Sequence, residues 1–256
     1  MSLRMNTAPG FIDAFSDIAE RYATGRPTYP KALFETLAAL APARKSAWDC
    51  GTGNGQAAVG LAELFECVEA TDASAEQIAQ AELHPRVRYR TVPAEASGLA
   101  DGSVDLISVA QALHWFDRDR FFAEVQRIAR PAAILAVYGY NWFYLTPALD
   151  DLTDRWLLQP VQSFWPADNR LLWDGYRTIS FPFEEVMPPC LAIHLTWTLD
   201  QLFDFYLTWS AHRRKAAADG SGFVSVARRA FESAWGDPAQ PRHIVMPLSV
   251  RLGRLP

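Results

Sequence analysis

The chain is poor in everything that would hold a small secreted or metal-dependent protein together. Its 256 residues contain only three cysteines, Cys50, Cys67 and Cys190, at spacings that form no pair, and no CxxC motif or histidine cluster provides metal-ligand spacing. Reduced thiols, no metal and a cytoplasmic setting are expected. Uninterrupted apolar runs of roughly 20 residues are also missing, which argues against a membrane span and a membrane partner. Lysine is scarce, 3 residues against 21 arginines, and the formal net charge is −5. No basic footprint for nucleic acid arises from that balance, so a small-molecule partner is favoured. With a hydrophobic content of 50% the chain can bury a full core, and no Pro/Gly/Ser-rich linker divides it. One domain over residues 1–256 is expected, of undetermined oligomeric state.

What is present is concentrated near residue 50. Ala47-Trp48-Asp49-Cys50-Gly51-Thr52-Gly53-Asn54-Gly55-Gln56 reads as a short strand that breaks into three alternating glycines before a helix. A tight strand-to-helix turn would explain the glycines alone. A dinucleotide fingerprint would need glycine where Gln56 stands, and Asp49 would repel a pyrophosphate. That weakens a nicotinamide-dependent oxidoreductase, the second enzyme reading. A ligand carrying an ammonium and a sulfonium would instead welcome Asp49, and S-adenosylmethionine (AdoMet) is one. About twenty residues past Gly51, the strand-like Cys67 to Asp72 ends in a carboxylate, where doubly wound folds grip a ribose. Ser74 and Gln77 form a capping box just beyond it, so Asp72 reads either as a ribose ligand or as a cap of that helix.

Strand-like runs recur at 46–50, 67–72, 87–93, 104–110 and 132–140, with helical patterns between them, which predicts a parallel sheet covered on both faces. Two helices, 11–23 and 30–40, precede the first strand. They flank Tyr22-Ala23-Thr24-Gly25-Arg26-Pro27-Thr28-Tyr29-Pro30, a stiff amphipathic segment suited to covering a pocket, or an ordinary helix connection. After residue 140 the alternation stops. Residues 141–185 hold eight aromatic residues of the Trp142 to Tyr176 stretch without strand periodicity, and read as a mostly helical insertion. A strand near 190–198, helices at 199–215 and 222–235, and a strand at 243–252 complete the chain, the last strands closing the sheet as an antiparallel edge.

These motifs resemble class I AdoMet-dependent methyltransferases. The resemblance rests on Asp49-x-Gly51-x-Gly53-x-Gly55, Asp72, Pro93-Ala94-Glu95 before Leu99, and Val104-Asp105-Leu106-Ile107 running into Gln111-Ala112-Leu113-His114-Trp115. It covers roughly residues 45–140. The Tyr22 to Pro30 segment, His114-Trp115-Phe116 and Thr208-Trp209-Ser210 are similar to the small-molecule branch that includes trans-aconitate methyltransferases. The resemblance implies an α/β, doubly wound, mostly parallel seven-stranded sheet, the Rossmann-like methyltransferase fold. Its parts would be cover helices at 11–40, an AdoMet-binding core at 45–140, the helical insertion at 141–185, and final strands and helices at 186–256.

It implies residue roles as well. Backbone at Gly51 and Gly53 would line the methionine and ribose, with Asp49 beside the turn and Gly55 completing it. Asp72 would accept from the ribose hydroxyls, adenine would lie between Ala73 and the Ala94-Glu95 turn, and backbone at Gln111 and Ala112 would line the methionine. Glu95 reads equally as a solvated surface acid. Because a sulfonium methyl is already activated, alignment and water exclusion are the main demands. A proton-bearing acceptor would need a base, and His114 is the nearest candidate, although a structural histidine fits the same position. The expected activity is methyl transfer to a small-molecule acceptor, an oxygen of a small organic acid, releasing S-adenosylhomocysteine. Trp115, Trp142 and Trp209 would wall the site, Tyr22 would cover it, and Arg26 or Arg213 would hold an acceptor anion; singly, these residues read as well as core tryptophans and solvated arginines. An AdoMet-binding protein without turnover is the non-enzyme alternative.

Overall fold

The computed structural model describes residues 27–256. The predicted helix at 11–23 and the calls on Tyr22 and Arg26 lie outside the described residues. Eight strands form one sheet: β1 (Ser46–Cys50), β2 (Cys67–Asp72), β3 (Val87–Thr91), β4 (Val104–Ala110), β5 (Ala129–Tyr140), β6 (Glu184–Val186), β7 (Ala192–Trp197) and β8 (Arg242–Arg254). Their order is β3-β2-β1-β4-β5-β8-β6, with β7 also paired to β8. The five strands from β3 to β5 run parallel, while β8 lies antiparallel to β5 and β6 antiparallel to β8. The direction of winding changes between β1 and β4, and their carboxyl ends open the crevice where such sheets take ligands.

Alternation along these strands sorts two apolar layers. Trp48, Cys50, Ile107, Val109, Leu135 and Val137 face one layer; Ala47, Leu106, Ile134, Ala136 and Tyr138 face the other. Helices cover both. Helix α1 (Lys31–Leu40) follows Pro30 and buries Leu33, Phe34, Leu37 and Ala38 in the second layer, beside α2 (Gln56–Ala62). The Phe34 ring occupies the space that a side chain at Gly60 of α2 would need. Helix α3 (Ala75–Ala79) is capped by Ser74, and α4 (Arg118–Ile128) is capped by Asp117 and buries Phe121, Val125 and Ile128 in the first layer.

Two compact units are present. Among the described residues the sheet unit comprises Thr28–Tyr144, Pro166–His194 and Val245–Pro256; the helical unit comprises Leu145–Trp165 and Leu195–Ile244. The helical unit begins with α5 (Pro147–Leu152), a π-helical turn (Thr153–Leu158) and a 3-10 turn (Gln159–Phe164). A short helix of the sheet unit, α6 (Asn169–Trp173), follows. Helices α7 (Leu199–Leu207), α8 (Ser210–Asp219) and α9 (Gly222–Trp235) complete the helical unit.

The structure differs from expectation in two places. The sheet has eight strands rather than seven, because Glu184–Val186 pairs with Arg254–Leu252; three residues, two of them Glu, carry too little alternation to read as a strand. The helix expected at 199–215 is two helices. Thr208 turns its hydroxyl back to the Phe205 carbonyl at 2.7 Å, and Trp209 adopts an extended ψ of 132°, so α8 starts afresh at Ser210. The insertion at 141–185 is helical in four short pieces and then irregular up to β6.

Candidate active site

The glycine turn is held from below by β2. The N–H groups of Gly51 and Thr52 both donate to the Thr71 carbonyl, at 2.8 and 2.9 Å, and Trp48 Nε1 donates to Thr71 Oγ1 at 2.9 Å. Gly51, Gly53 and Gly55 take φ values of 68°, 57° and 89°. At Gly51 the requirement is also steric, since an added Cβ would lie 2.5 Å from Ala112 Cβ and 3.1 Å from the Phe116 ring. The Gly51 backbone therefore packs directly against the Ala112 side chain and the Phe116 ring, just beyond the end of β4. At Gly55 the Tyr89 hydroxyl, which donates to the Glu82 carbonyl at 2.7 Å, fills the corresponding space.

Asp72 lies at the carboxyl end of β2, partly exposed, and fastens the turn to the next loop. Its Oδ2 accepts from Gly53 N–H and its Oδ1 from Ser74 N–H, both at 2.9 Å. Each carboxylate oxygen keeps further acceptor capacity. Ala73 beside it is exposed, Ala94 packs in the first apolar layer, and Glu95 accepts from Asp117 N–H at 2.8 Å. The turn carrying Ala94 and Glu95 is pinned by Glu124 of α4, which accepts from both the N–H and the hydroxyl of Ser97 while paired with Arg127.

Asp49 is fully buried. In the β1–β4 register it stands opposite Ser108, whose hydroxyl donates to its Oδ1 at 2.9 Å; the Thr52 hydroxyl donates to its Oδ2 at 2.6 Å. Burial raises its pKa from 3.8 to about 6, against the opposing pull of the two hydroxyls. Ser108, Thr52 and Tyr138 were not singled out in the sequence. The signal available was a lone serine in the apolar run of β4.

After β4 the chain turns sharply. Gln111 has φ of 54°, rare for a side chain other than glycine, and donates its N–H to the Tyr138 carbonyl at 2.8 Å. Tyr29 packs edge-on to Tyr138 at 5.0 Å. Buried Ala112 leads into a 3-10 turn, Leu113–Trp115. His114, 4% exposed, sets its Nδ1 3.0 Å from the Tyr176 hydroxyl, and burial lowers its pKa from 6.5 to about 4. Trp115 is 58% exposed with its ring 4.5 Å from that of His114. Trp142 packs on Trp173 at 5.4 Å.

The sheet unit thus holds Asp49, Gly51, Gly53, Gly55, Asp72, Ala73, Ala94, Glu95, Gln111, Ala112, His114, Trp115 and Trp142, all at or beyond strand carboxyl ends. Trp209 and Arg213 belong to the helical unit, where Trp209 is buried against Trp165 at 5.7 Å and Arg213 is exposed on α8. Among the described residues no group of three or more His, Cys, Asp or Glu is arranged to hold a metal ion, and no helix is long and apolar enough to cross a membrane.

Comparison with known proteins agrees with this geometry. The family described as "Methyltransferase domain" matches residues 48–137, the span from the glycine turn to β5. A Dictyostelium discoideum protein provisionally named a methyltransferase is 30% identical over 216 residues, 83% of this chain and 82% of that protein. A solved structure from Anaeromyxobacter dehalogenans, provisionally named a type II methyltransferase, is 44% identical with a TM-score of 0.86, over 90% of this chain and 99% of its own. A Saccharomyces cerevisiae protein provisionally named an S-adenosylmethionine-dependent methyltransferase is 31% identical over 52% of this chain, about half (47%) of its own length. With the relative from Dictyostelium spanning most of both chains, and the glycine turn, Asp72 and the β4 end inside the matched domain, this chain belongs to the class I S-adenosylmethionine-dependent methyltransferases.

Proposed function

We propose that the chain methylates an oxygen of a small organic acid, as the likeness to the branch including trans-aconitate methyltransferases implies, and releases S-adenosylhomocysteine. The observation that carries the choice of a carboxylate acceptor is the state of His114. Its ring is buried, bonded to the Tyr176 hydroxyl and neutral well below pH 7, with a pKa near 4. A group so weakly basic takes a proton poorly from a phenol or an amine, whereas a carboxylate has none to give up.

The residues suit AdoMet. Asp72 retains lone pairs for the two ribose hydroxyls while its backbone bonds keep the carboxylate aimed out of β2. Asp49 provides negative charge beneath the turn for the cofactor's cationic end, and the backbone at Gly51, Gly53, Gln111 and Ala112 gives the methionine close access. Ala73 and the Ala94-Glu95 turn would flank adenine. When bound, AdoMet supplies a methyl group already activated on sulfonium. What the chain adds is alignment and dryness, with Trp115 and Trp142 as aromatic walls beyond the ends of β4 and β5.

A screen for S-adenosylhomocysteine release with small carboxylic acids, phenols and amines tests this. Acids should turn over, and His114→Ala should slow them by less than about tenfold. Inert acids beside active amines or phenols, with His114→Ala losing more than about a hundredfold on those, would replace the carboxylate reading by base-assisted transfer.

A further inference from the structure

Asp49 is the one carboxylate of the site with no solvent contact, and what determines its state lies on two other strands. Ser108 stands directly across from it on β4, and Tyr138 follows on β5, facing the same apolar layer. The Ser108 Oγ is 2.9 Å from Asp49 Oδ1 and 2.8 Å from the Tyr138 hydroxyl. A serine has one proton. Given to the carboxylate, it leaves Ser108 as an acceptor, so Tyr138 must donate: the chain of hydrogens runs from Tyr138 through Ser108 to Asp49. Such a relay strengthens the terminal bond, because each donor is polarised by the one behind it.

The groups around Asp49 make this bond decisive. Asp72 on β2 repels its charge. Cys50 next to it, Tyr89 on β3 and Tyr138 on β5 are each pushed by burial above their ordinary pKa and stay neutral near pH 7. Among the described residues, what favours the Asp49 charge is hydrogen bonding, from Thr52, Ser108 and the Ala58 backbone. Thr52 belongs to the glycine turn itself. Ser108 and Tyr138 do not, and nothing in the glycine motif calls for them.

We propose that Ser108 and Tyr138 are positioning residues for the cofactor: their hydroxyl relay orients the Asp49 carboxylate and holds it ionised toward the cofactor's cationic end. Strands β4 and β5 thereby act on AdoMet affinity through β1. This rests on the reading that Asp49 serves that cationic end, and the relay adds the requirement that affinity depend on pH through residues that do not touch the ligand.

The test is AdoMet titration by calorimetry from pH 5 to 8 on the full chain and on Tyr138→Phe, Ser108→Ala, Ser108→Thr and Asp49→Asn. Wild-type affinity should weaken below about pH 6, where Asp49 takes up its proton. Tyr138→Phe and Ser108→Ala should move that weakening to higher pH, to roughly tenfold poorer affinity than wild type at pH 5 and near-identical affinity at pH 8. Ser108→Thr, which restores the hydroxyl, should restore the profile. Tyr138→Phe leaves Ser108 its bond to Asp49 and so remains informative if Ser108→Ala, with a buried tyrosine hydroxyl stranded, does not fold. Equal weakening at every pH, or none, in Tyr138→Phe would reduce the relay to packing and overturn the inference alone. An Asp49→Asn protein that binds AdoMet like wild type would overturn the reading of Asp49 beneath it.

Discussion

Buried polar groups are handled differently in the sheet unit and in the helical unit. Around β1, the side chains of Asp49, Thr71, Ser108 and Tyr138 are almost wholly enclosed, and each meets a partner placed there by strand register or by the adjoining turn. At the junction of α7 and α8, Tyr206 and His212 are enclosed to a similar degree, and their rings pack edge to face at 4.9 Å. Among the described residues the Tyr206 hydroxyl and both imidazole nitrogens of His212 find no hydrogen-bond partner. Burial pushes the tyrosine pKa up and the histidine pKa down, so both stay neutral. A sheet lines up donors and acceptors across strands at fixed spacing, whereas helices that meet through aromatic faces bury polar tips as a by-product. The first arrangement is a site in which each atom has a task; the second is packing that tolerates a few orphans.

The largest test of that contrast compares two glycines with positive φ. Gly51 needs its conformation and has no room, with Ala112 2.5 Å from any added Cβ; at Gly220, ending α8 at φ of 79°, an added Cβ meets nothing within 4 Å among the described residues. Gly51→Ala should abolish measurable AdoMet binding and destabilise the chain by roughly 3 kcal/mol or more, combining backbone strain and a clash. Gly220→Ala should lose about 2 kcal/mol from strain alone and keep its AdoMet affinity. Calorimetry and urea denaturation measure both. Retained binding in a folded Gly51→Ala protein would separate the turn from the cofactor.

Within the sheet unit, Asp49 and His114 are opposed titrations. Asp49 is raised in the fold from 3.8 to about 6, so the folded chain holds its proton longer than the unfolded one, and stability falls as pH rises across that window. His114 is lowered from 6.5 to about 4, so the unfolded chain takes up its proton first, and stability falls as pH drops across nearly the same window. Each gap is worth about 3 kcal/mol, with opposite sign. Wild-type stability should therefore vary little from these two groups between pH 4 and 6. Asp49→Asn should uncover a chain that loses about 3 kcal/mol on acidification, and His114→Gln one that gains a similar amount. Denaturant midpoints at several pH values check this; parallel slopes in both variants would refute the opposed pair.

A smaller effect is expected at Asp72, where the ligand rather than the fold is at stake. Asp72→Ala should weaken AdoMet binding at least tenfold, since bonds to two ribose hydroxyls and the clamp on Gly53 and Ser74 go together. An unchanged dissociation constant in the folded variant would remove Asp72 from the site.

Why Asp72 could be found in the sequence and Ser108 could not is a matter of range. The glycine turn, the strand ending at Asp72 and the Ser74 cap are written in consecutive residues, and β1, β2 and β4 carry enough alternation or apolar length to be delimited to the residue. Ser108 and Tyr138 gain meaning only from register, which sets Ser108 opposite Asp49 and Tyr138 two residues past Ala136, the partner of Ser108, on the same face, and is invisible until the strand order is known. The break at Trp209 was hidden for a related reason. Residues 199–215 keep helical apolar spacing through it, and only the Thr208 hydroxyl turning onto the backbone ends α7. The three-residue β6 was too short to leave a pattern, and it exists because β8 offers it an edge.

The last and smallest effect separates the two kinds of burial most directly, by removing the same atom in each. Tyr138→Phe deletes a hydroxyl that is bonded to Ser108; Tyr206→Phe deletes one with no partner among the described residues. Both rings are fully enclosed, so the change in apolar area and the shape of the cavity are nearly the same. Losing a made hydrogen bond should destabilise by about 1 kcal/mol, whereas losing an unmade one relieves the burial of an unsatisfied group and should leave stability unchanged or raise it by up to about 1 kcal/mol. The two urea midpoints, taken at pH 8, where Asp49 is ionised in either protein, should therefore move apart, Tyr138→Phe downward and Tyr206→Phe level or upward. If Tyr206→Phe falls as far as Tyr138→Phe, its hydroxyl is satisfied after all, and the helical unit handles its buried polar groups as the sheet does.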